Sequence, residues 1–148
     1  MLDISEIRKE FPILQTQIRG VPLCYLDNGA SAQKPKCVID AITRGYELEY
    51  ANVHRGLHYL SNLATEKFES VREKIQNFIC AKSSSEIVFT SGSTEGLNLI
   101  SYSWAAHNLV KGDKILLSVA EHHANIVPWH FLREKIGVEL KWVSPRPD

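Results

Sequence analysis

The sequence lacks the features that mark membrane, secreted and nucleic-acid-binding proteins. None of its apolar runs approaches the 18 or more residues that a membrane-spanning helix requires. Its 17 basic and 17 acidic residues cancel, so no basic excess favours nucleic acid or an anionic membrane surface. The N-terminal run MLDISEIRKEF is charged and contains no apolar segment of the kind that signal peptides need. We therefore expect no membrane and no nucleic-acid partner.

Cysteine is also scarce, and its placement excludes further classes of protein. The three cysteines, Cys24, Cys37 and Cys80, are scattered singly, and no CxxC pair occurs. An odd number without paired spacing argues against a disulfide framework and against a zinc site. We expect no metal site, and we expect the protein to lie in the reducing cytoplasm.

The composition and periodicity that are present indicate a folded domain. With 148 residues, 44% of them hydrophobic and 23% charged, the chain resembles an average globular protein. Apolar spacing predicts a short helix closed by Pro12, a helix after Pro35, and a long amphipathic helix over 60–78. Residues 50–59 break this periodicity and are predicted to form a loop. Because polar clusters on loops are common functional sites, this segment is a candidate. An exposed loop with solvated charges is the alternative, and it stays open.

The second half of the chain is predicted to alternate strands with helices. Apolar runs at 86–90 and 114–118 and an alternating run at 138–144 indicate three strands with helices between them. Right-handed crossovers would place such strands in one largely parallel sheet of an α/β fold. Ligands in these sheets gather at the carboxyl ends of the strands, where SGSTEG (91–96) and EHHAN (121–125) are predicted to lie.

The SGSTEG run has the character of an anion-binding turn. It leads from a predicted strand into a predicted helix, whose first backbone N–H groups have no partner within the helix and attract negative charge. Gly92 allows close approach of a phosphate, and Ser93 and Thr94 are candidates to cap the helix and donate a hydroxyl. An ordinary capped helix after a strand has the same pattern, so this alternative stays open.

The EHHAN run adds two adjacent histidines at the same predicted edge. A cofactor with a phosphate and an aromatic ring would fit the pair of loops, with an imidazole stacked on the ring. A metal site at His122 and His123 is disfavoured, because adjacent side chains on an extended segment point to opposite faces. A serine hydrolase is disfavoured by the absence of a GxSxG turn. Asn125 is predicted to cap the following helix, with Pro128 in its first turn.

Four runs then resemble one known family in order and spacing. They are YLDNGASAQKP, NVHRGLHYLSNLATEKFESVR, VFTSGSTEGLNLI and EHHANIVPW, and they resemble the start of the group II cysteine desulfurases of the class V aminotransferase family. The resemblance implies the type I, aspartate aminotransferase-like fold of enzymes that use pyridoxal 5′-phosphate (PLP). Here it implies the N-terminal portion of the large domain, with a mainly parallel sheet.

The resemblance also implies an activity. Such enzymes convert L-cysteine to L-alanine and leave the sulfur as a persulfide on an enzyme cysteine. They act as homodimers and pass this sulfur to an acceptor protein for iron–sulfur cluster assembly, and many also act as selenocysteine lyases. The family pattern implies that Ser93 and Thr94 bind the cofactor phosphate and that His122 stacks on the pyridine ring.

The same family pattern implies a substrate site. Asn28, Gly29 and Ala30 are expected near the substrate, while His54 and Arg55 are expected at the mouth of the active site near the dimer interface. Ser91 departs from the pattern, since relatives can carry an arginine there.

The resemblance covers only the first part of such an enzyme. The lysine that binds PLP, the aspartate at the ring nitrogen and the nucleophilic cysteine are expected beyond residue 148. We therefore expect residues 1–58 to form an N-terminal arm with active-site loops, and residues 59–148 to begin the PLP-binding large domain, whose remainder and small domain are absent. The chain alone is expected to be inactive.

Other interpretations stay open. One is a non-catalytic fragment that binds PLP or a partner and is complemented by a separately encoded C-terminal half, and another is a decayed reading frame. Other class V enzymes, such as a kynureninase or an isopenicillin-epimerase-like protein, are also considered. The runs ATEKFESVR and HHANIVPW favour the desulfurase.

Overall fold

A computed structural model describes residues 2–145, and contacts divide the chain after Ile87 into two compact units. Each unit is described by itself. The domain boundary that the sequence predicts between residues 58 and 59 concerns a longer protein and stays a prediction.

The first unit is mainly helical. Its helices are α1 (Ile4–Lys9), α2 (Lys36–Arg44) and α3 (Tyr59–Phe78), and a short antiparallel hairpin pairs β1 (Gln17–Ile18) with β2 (Val21–Pro22). Short 3₁₀ turns lie at Pro12–Gln15 and Ser84–Glu86, and α2 continues as a π turn over Gly45–Glu49. The predicted helices are confirmed, including the long amphipathic one, and residues 50–58 form the predicted loop.

The second unit contains a two-stranded parallel sheet with helices. Its elements are α4 (Ser93–Leu99), a π turn (Ile100–Ala105), α5 (Ala106–Asn108), β3 (Lys114–Ser118), a 3₁₀ turn (His123–Asn125), α6 (Val127–Ile136) and β4 (Glu139–Val143). Strands β3 and β4 pair in parallel, from Lys114 opposite Glu139 to Ser118 opposite Val143. The predicted strands at 114–118 and 138–144 are thus confirmed, as is their parallel pairing.

The core of the second unit lies between its helices and its sheet. Ala105, Leu132 and Val138 are buried there, with at most 3% of each exposed. Partly buried residues surround them: Ala106, Leu109, Ile115, Trp129 and Ile136. Helix α6 ends where Gly137 adopts a left-handed conformation with φ of 82°, which glycine accepts without steric cost. The predicted helix between the strands at 114–118 and 138–144 is confirmed.

The predicted strand at 86–90 is wrong. Residues 87–90 have no regular secondary structure, and Val88 is 65% exposed. A strand requires a neighbour that accepts and donates along its backbone, and among residues 2–145 the only parallel pair is β3 with β4. The apolar, β-branched run is therefore present without a sheet partner.

The predicted capping residues are also wrong. Gly92, and neither Ser93 nor Thr94, precedes the first turn of α4, and within residues 2–145 no side chain caps that helix. Helix α6 likewise begins after Ile126 without a side-chain cap, although Pro128 lies in its first turn as predicted. The side chains of Ser93, Thr94 and Asn125 therefore do not cap α4 or α6 as the sequence patterns predict.

Within residues 2–145, no helix is both long and apolar enough to cross a bilayer. Over the same residues, no group of three histidine, cysteine or acidic side chains is gathered as a metal site would need. All three cysteines are exposed and carry free thiols.

Candidate functional site

The SGSTEG turn presents a set of unpaired donors. Within residues 2–145, the backbone N–H groups of Ser93, Thr94 and Glu95 meet no carbonyl acceptor, and the first bond of α4 runs from Gly96 N–H to Gly92 C=O at 3.1 Å. The hydroxyls of Ser93 and Thr94 are exposed, and neither has a hydrogen-bond partner over those residues. A Cβ added at Gly92 would meet open space. Free N–H groups and hydroxyls together suit an anion with several oxygens.

The carboxylate of Glu95 accepts hydrogen bonds from Ser91, the first residue of this turn. The backbone N–H and the hydroxyl of Ser91 both donate to Glu95 Oε2, each at 2.6 Å. These two bonds, the hydroxyl's first, hold the pKa of the Glu95 carboxyl below its ordinary value. The ionised carboxylate therefore ties the residue before Gly92 to the first turn of α4.

The EHHAN segment folds around the ring of His122. The N–H of Ala124 donates to His122 Nδ1 at 3.1 Å, and the N–H of Asn125 donates to the His122 carbonyl at 2.8 Å. Because Nδ1 accepts, the neutral ring carries its proton on Nε2. The ring is exposed and meets the ring of His123 edge-on, with centroids 6.4 Å apart. One ring nitrogen is thus committed while the imidazole stays accessible.

The two predicted cofactor loops lie together in the second unit. Helix α4 contacts the 3₁₀ turn His123–Asn125, and the π turn that continues α4 packs on α6. A buried bond joins the latter pair, from the Ser101 hydroxyl to the Pro128 carbonyl at 3.1 Å. The structure therefore brings the residues predicted to hold a phosphate next to the turn that carries the predicted stacking histidine.

Residues 28–30 form an exposed turn in the first unit. The N–H groups of Ala30 and Ser31 donate to the Asp27 carbonyl at 3.2 and 3.0 Å. Asn28 Oδ1 accepts from the Gln33 N–H at 3.1 Å, so this side-chain oxygen holds the loop's own backbone. The amide nitrogen of Asn28 has no partner within residues 2–145, and Gly29 and Ala30 are open to solvent.

The loop that carries His54 and Arg55 is fastened to the start of α3. His54 has a positive φ of 73°, a conformation that costs free energy for a residue with a Cβ. Its N–H donates to the Thr65 hydroxyl at 2.8 Å, and that hydroxyl donates to the Ser61 carbonyl at 2.8 Å. The hydroxyl of Ser61, which is 1% exposed, donates to the Asn52 carbonyl at 2.6 Å. These bonds maintain the strained backbone at His54.

Gly56 is required by the same packing. A Cβ at this position would overlap the buried side chain of Ser61, although the φ of Gly56 is not in the left-handed region. His58 precedes the first turn of α3, and its Nδ1 accepts from the Ser61 N–H at 3.4 Å. The glycine thus lets the loop lie flat against the helix terminus.

The His54 ring rests on a second group of α3 residues. Its Nε2 lies 3.4 Å from Glu69 Oε1, and its ring meets Phe68 edge-on with centroids 5.6 Å apart. Arg72 lies on Phe68, at 5.4 Å from the ring centroid, and its Nε donates to Glu69 Oε2 at 3.1 Å. By contrast, the guanidinium of Arg55 is exposed and has no side-chain partner within residues 2–145.

Comparison with known proteins identifies the family. The family model described as "Aminotransferase class-V" matches residues 24–148. The chain belongs to the class V aminotransferase family.

Similar curated members of this family are cysteine desulfurases. The chain is 52% identical over 145 residues to a cysteine desulfurase of Salmonella gallinarum, covering 98% of this chain and 36% of the relative. It is 51% identical to one of Salmonella newport with the same coverage. The chain therefore spans about a third of the length of the curated relatives that it matches.

Solved structures agree with this assignment. A cysteine desulfurase of Thermococcus onnurineus, solved in the apo state, superimposes with a TM-score of 0.86 at 36% identity, over 98% of this chain and 34% of that one. The desulfurase CsdA of Escherichia coli gives 0.77 at 33% identity, over 99% and 35%. A C-DES mutant, solved with glycine linked covalently to PLP, shares the fold with a TM-score of 0.74 at 19% identity over 98% and 34%. The predicted α/β, type I fold is confirmed.

The sequence patterns missed the residues that hold the loops of this class V aminotransferase chain. Sequence patterns indicate no role for His58, Ser61 and Thr65, yet these residues fasten the loop that carries His54. Their spacing of three and four residues at the start of a helix is a signal for such anchoring. Asn125 was assigned to a cap, and its side chain instead contacts Glu121 and Trp129.

Proposed function

We propose that this chain provides the phosphate- and ring-binding part of a PLP-dependent cysteine desulfurase. The observation that carries the proposal is the pairing of the free donors at Ser93 and Thr94 with the turn that bears His122. Three N–H groups and two hydroxyls suit a phosphate, and an exposed imidazole with one committed nitrogen suits an aromatic ring. Similarity to cysteine desulfurases at 52% identity supports the choice of this enzyme within the family.

The residues act in distinct ways in this proposal. Thr94 and Ser93 bind the phosphate, and His122 stacks on the ring. When bound, PLP supplies a conjugated ring that takes up an electron pair released from the substrate. Asn28, Gly29 and Ala30 lie near the substrate. His54 and Arg55 border the mouth of the active site near the homodimer interface.

The remaining parts of the proposal concern the whole enzyme. The substrate is L-cysteine, the product is L-alanine, and the sulfur passes through an enzyme persulfide to an acceptor protein for iron–sulfur cluster assembly in the cytoplasm. We place the Schiff-base lysine and the persulfide cysteine in residues outside the 148 of this chain, because none of its lysines or cysteines matches the family's positions. The relatives' greater length supports this part of the proposal.

Exposed apolar surface supports assembly with further protein. Leu57 is fully exposed, and Leu26 and Phe78 are 90% and 87% exposed. We propose that other protein covers these side chains in the longer protein. The homodimer and the remainder of the large domain are the partners that the proposal assigns to this surface.

The phosphate role is tested in the longer protein that contains this chain. Thr94→Ala removes one hydroxyl that bonds to a charged group, which is worth about 1.5–3 kcal/mol. The dissociation constant for PLP should rise roughly 10- to 100-fold, measured by absorbance after equilibrium dialysis. Thr43→Ala is the control, since the hydroxyl of Thr43 donates to the Ile39 carbonyl within α2.

The stacking role is tested by the two adjacent histidines. His122→Ala should weaken PLP retention and strongly reduce the release of alanine from L-cysteine. His123→Ala should leave both near the wild-type values, because its ring has no hydrogen-bond partner within residues 2–145. If Thr94→Ala and His122→Ala both retain full PLP content and turnover, the phosphate-binding and ring-stacking roles have been assigned to the wrong residues. If the longer protein converts kynurenine and not cysteine, the desulfurase proposal fails.

A further inference from the structure

The side chain of Asn125 bridges two parts of the second unit. Its amide nitrogen donates to Glu121 Oε2 at 3.1 Å, and its Oδ1 accepts from the indole Nε1–H of Trp129 at 2.9 Å. The chemistry of the partners determines the orientation of the amide, because an indole N–H only donates and a carboxylate only accepts. Three side chains spaced four residues apart therefore form one chain of hydrogen bonds.

This series of hydrogen bonds spans the segment that carries His122. Glu121 lies immediately before His122, and Asn125 lies three residues after it. The Asn125 backbone N–H also closes on the His122 carbonyl at 2.8 Å. Asn125 thus holds the segment through its backbone and through both ends of its side-chain amide.

The Trp129 end of this series of hydrogen bonds is fixed in the core. Trp129 lies in the first turn of α6 and packs against the cluster of Ala105, Leu132 and Val138. The imidazole of His122, by contrast, is exposed, and within residues 2–145 its only hydrogen bond comes from Ala124. The orientation of this ring therefore depends on how firmly the segment is joined to the core.

We propose that Asn125 is a positioning residue for His122, rather than the helix cap that its sequence position suggests. It joins the turn to Trp129, so that the Ala124 N–H stays on Nδ1 and the ring is held ready to stack on a cofactor ring. The inference rests on the proposed function of His122. The class of ligand on which the His122 imidazole would stack is a planar, electron-poor aromatic ring.

The test uses the 148-residue chain with ¹⁵N-labelled histidine and uniform backbone labelling. In the wild-type chain at about pH 8.5, where neutral imidazoles predominate, the ring ¹⁵N shifts should show His122 as the Nε2–H tautomer. In Asn125→Ala the Ala124 amide should exchange with solvent about fivefold faster, as expected for the loss of one net hydrogen bond. The ring signals of His122 should move toward a mixture of tautomers.

Two further variants separate positioning from general destabilisation. Trp129→Phe keeps an aromatic side chain in the core but removes the indole N–H, so it should reproduce the faster Ala124 exchange. Glu121→Gln keeps an oxygen that accepts from Asn125, so it should stay at the wild-type rate. The amide of Leu132, which is 3% exposed, reports the stability of the unit and should change less than that of Ala124 in every variant.

The outcomes are distinct. Faster exchange of the Ala124 amide together with shifted His122 ring signals, without equal acceleration at Leu132, supports the proposal. If Asn125→Ala fails to fold, the same result in Trp129→Phe alone supports it. Equal acceleration at Ala124 and Leu132, or no change at Ala124, overturns it. If the positioning result holds but His122→Ala leaves PLP retention of the longer protein intact, the proposed function fails while the role of Asn125 stands.

Discussion

The two loops that carry histidines are held in place by different means. The loop at residues 50–58 is fastened from outside, by hydroxyls and a carboxylate projecting from successive turns of α3. The segment at residues 121–125 is fastened by bonds of short sequence separation, from its own backbone and from the Asn125 amide, which joins Glu121 to Trp129 at the start of α6. The first loop has a strained residue, His54, with φ of 73°, whereas no residue of the second has a positive φ.

This difference has a physical consequence. A loop with a strained residue keeps its shape only while neighbouring structure compensates for the strain, so its geometry depends on α3. A loop closed by local bonds should keep more of its geometry when its surroundings change. We therefore expect substitutions around residues 50–58 to have larger effects than substitutions around residues 121–125.

The largest effect is expected from Gly56→Ala. The added methyl group overlaps the buried Ser61 side chain, and such overpacking costs typically about 1–3 kcal/mol. We expect the free energy of opening of the α3 terminus, measured by amide exchange at Thr65, to fall by about that amount. Gly45→Ala is the matched control, because its Cβ meets nothing within 4 Å and its φ of −57° is helical. Equal exchange in the two variants would show that the loop does not press on Ser61.

A smaller effect is expected from Thr65→Val. The change keeps the shape of the side chain but removes the hydroxyl that accepts from His54 N–H and donates to the Ser61 carbonyl. Losing these bonds should cost about 0.5–1.5 kcal/mol locally, seen as faster exchange of the His54 amide. Thr43→Val, on exposed α2, removes one bond to the Ile39 carbonyl and should change exchange little. If His54 exchanges at the wild-type rate in Thr65→Val, other contacts maintain its strained backbone.

The smallest effect is expected at the SGSTEG turn and concerns pH. Donation by Ser91 lowers the pKa of Glu95 below its ordinary value of 4.5. The carboxylate therefore contributes stability above that value, and the contribution is lost as the pH falls through the lower folded-state pKa. Ser91→Ala should move the Glu95 titration midpoint, followed by carboxyl ¹³C shifts, upward toward about 4.5.

Glu49 in the first unit is the internal control for this titration. Lys67, and then Arg44, hold the pKa of Glu49 below its ordinary value, and neither partner is touched by Ser91→Ala. Its midpoint should therefore stay unchanged. An unchanged midpoint for Glu95 would contradict the closure of the turn by Ser91.

Local patterns predicted those elements whose stability is mostly local. Apolar spacing located α3, because helix periodicity needs no distant partner. The strand at 86–90 failed for the opposite reason, since a strand exists only beside another strand. The predicted caps at Thr94 and Asn125 are wrong because polar side chains of this kind can bond in several ways. The side chain of Asn125 bonds to Glu121 and Trp129, and the Thr94 hydroxyl has no partner within residues 2–145.

The sequence by itself determined the family, the α/β fold class, and the two runs of residues that the cofactor proposal needs. Order and spacing of motifs are properties of the chain alone, so they could be recognised without coordinates. Only the tertiary structure decided that α4 contacts the turn after His122, that Thr65 holds His54, and that Asn125 joins Glu121 to Trp129. These are hydrogen bonds and contacts whose partners are chosen by packing, and for polar side chains with several possible partners, packing makes that choice.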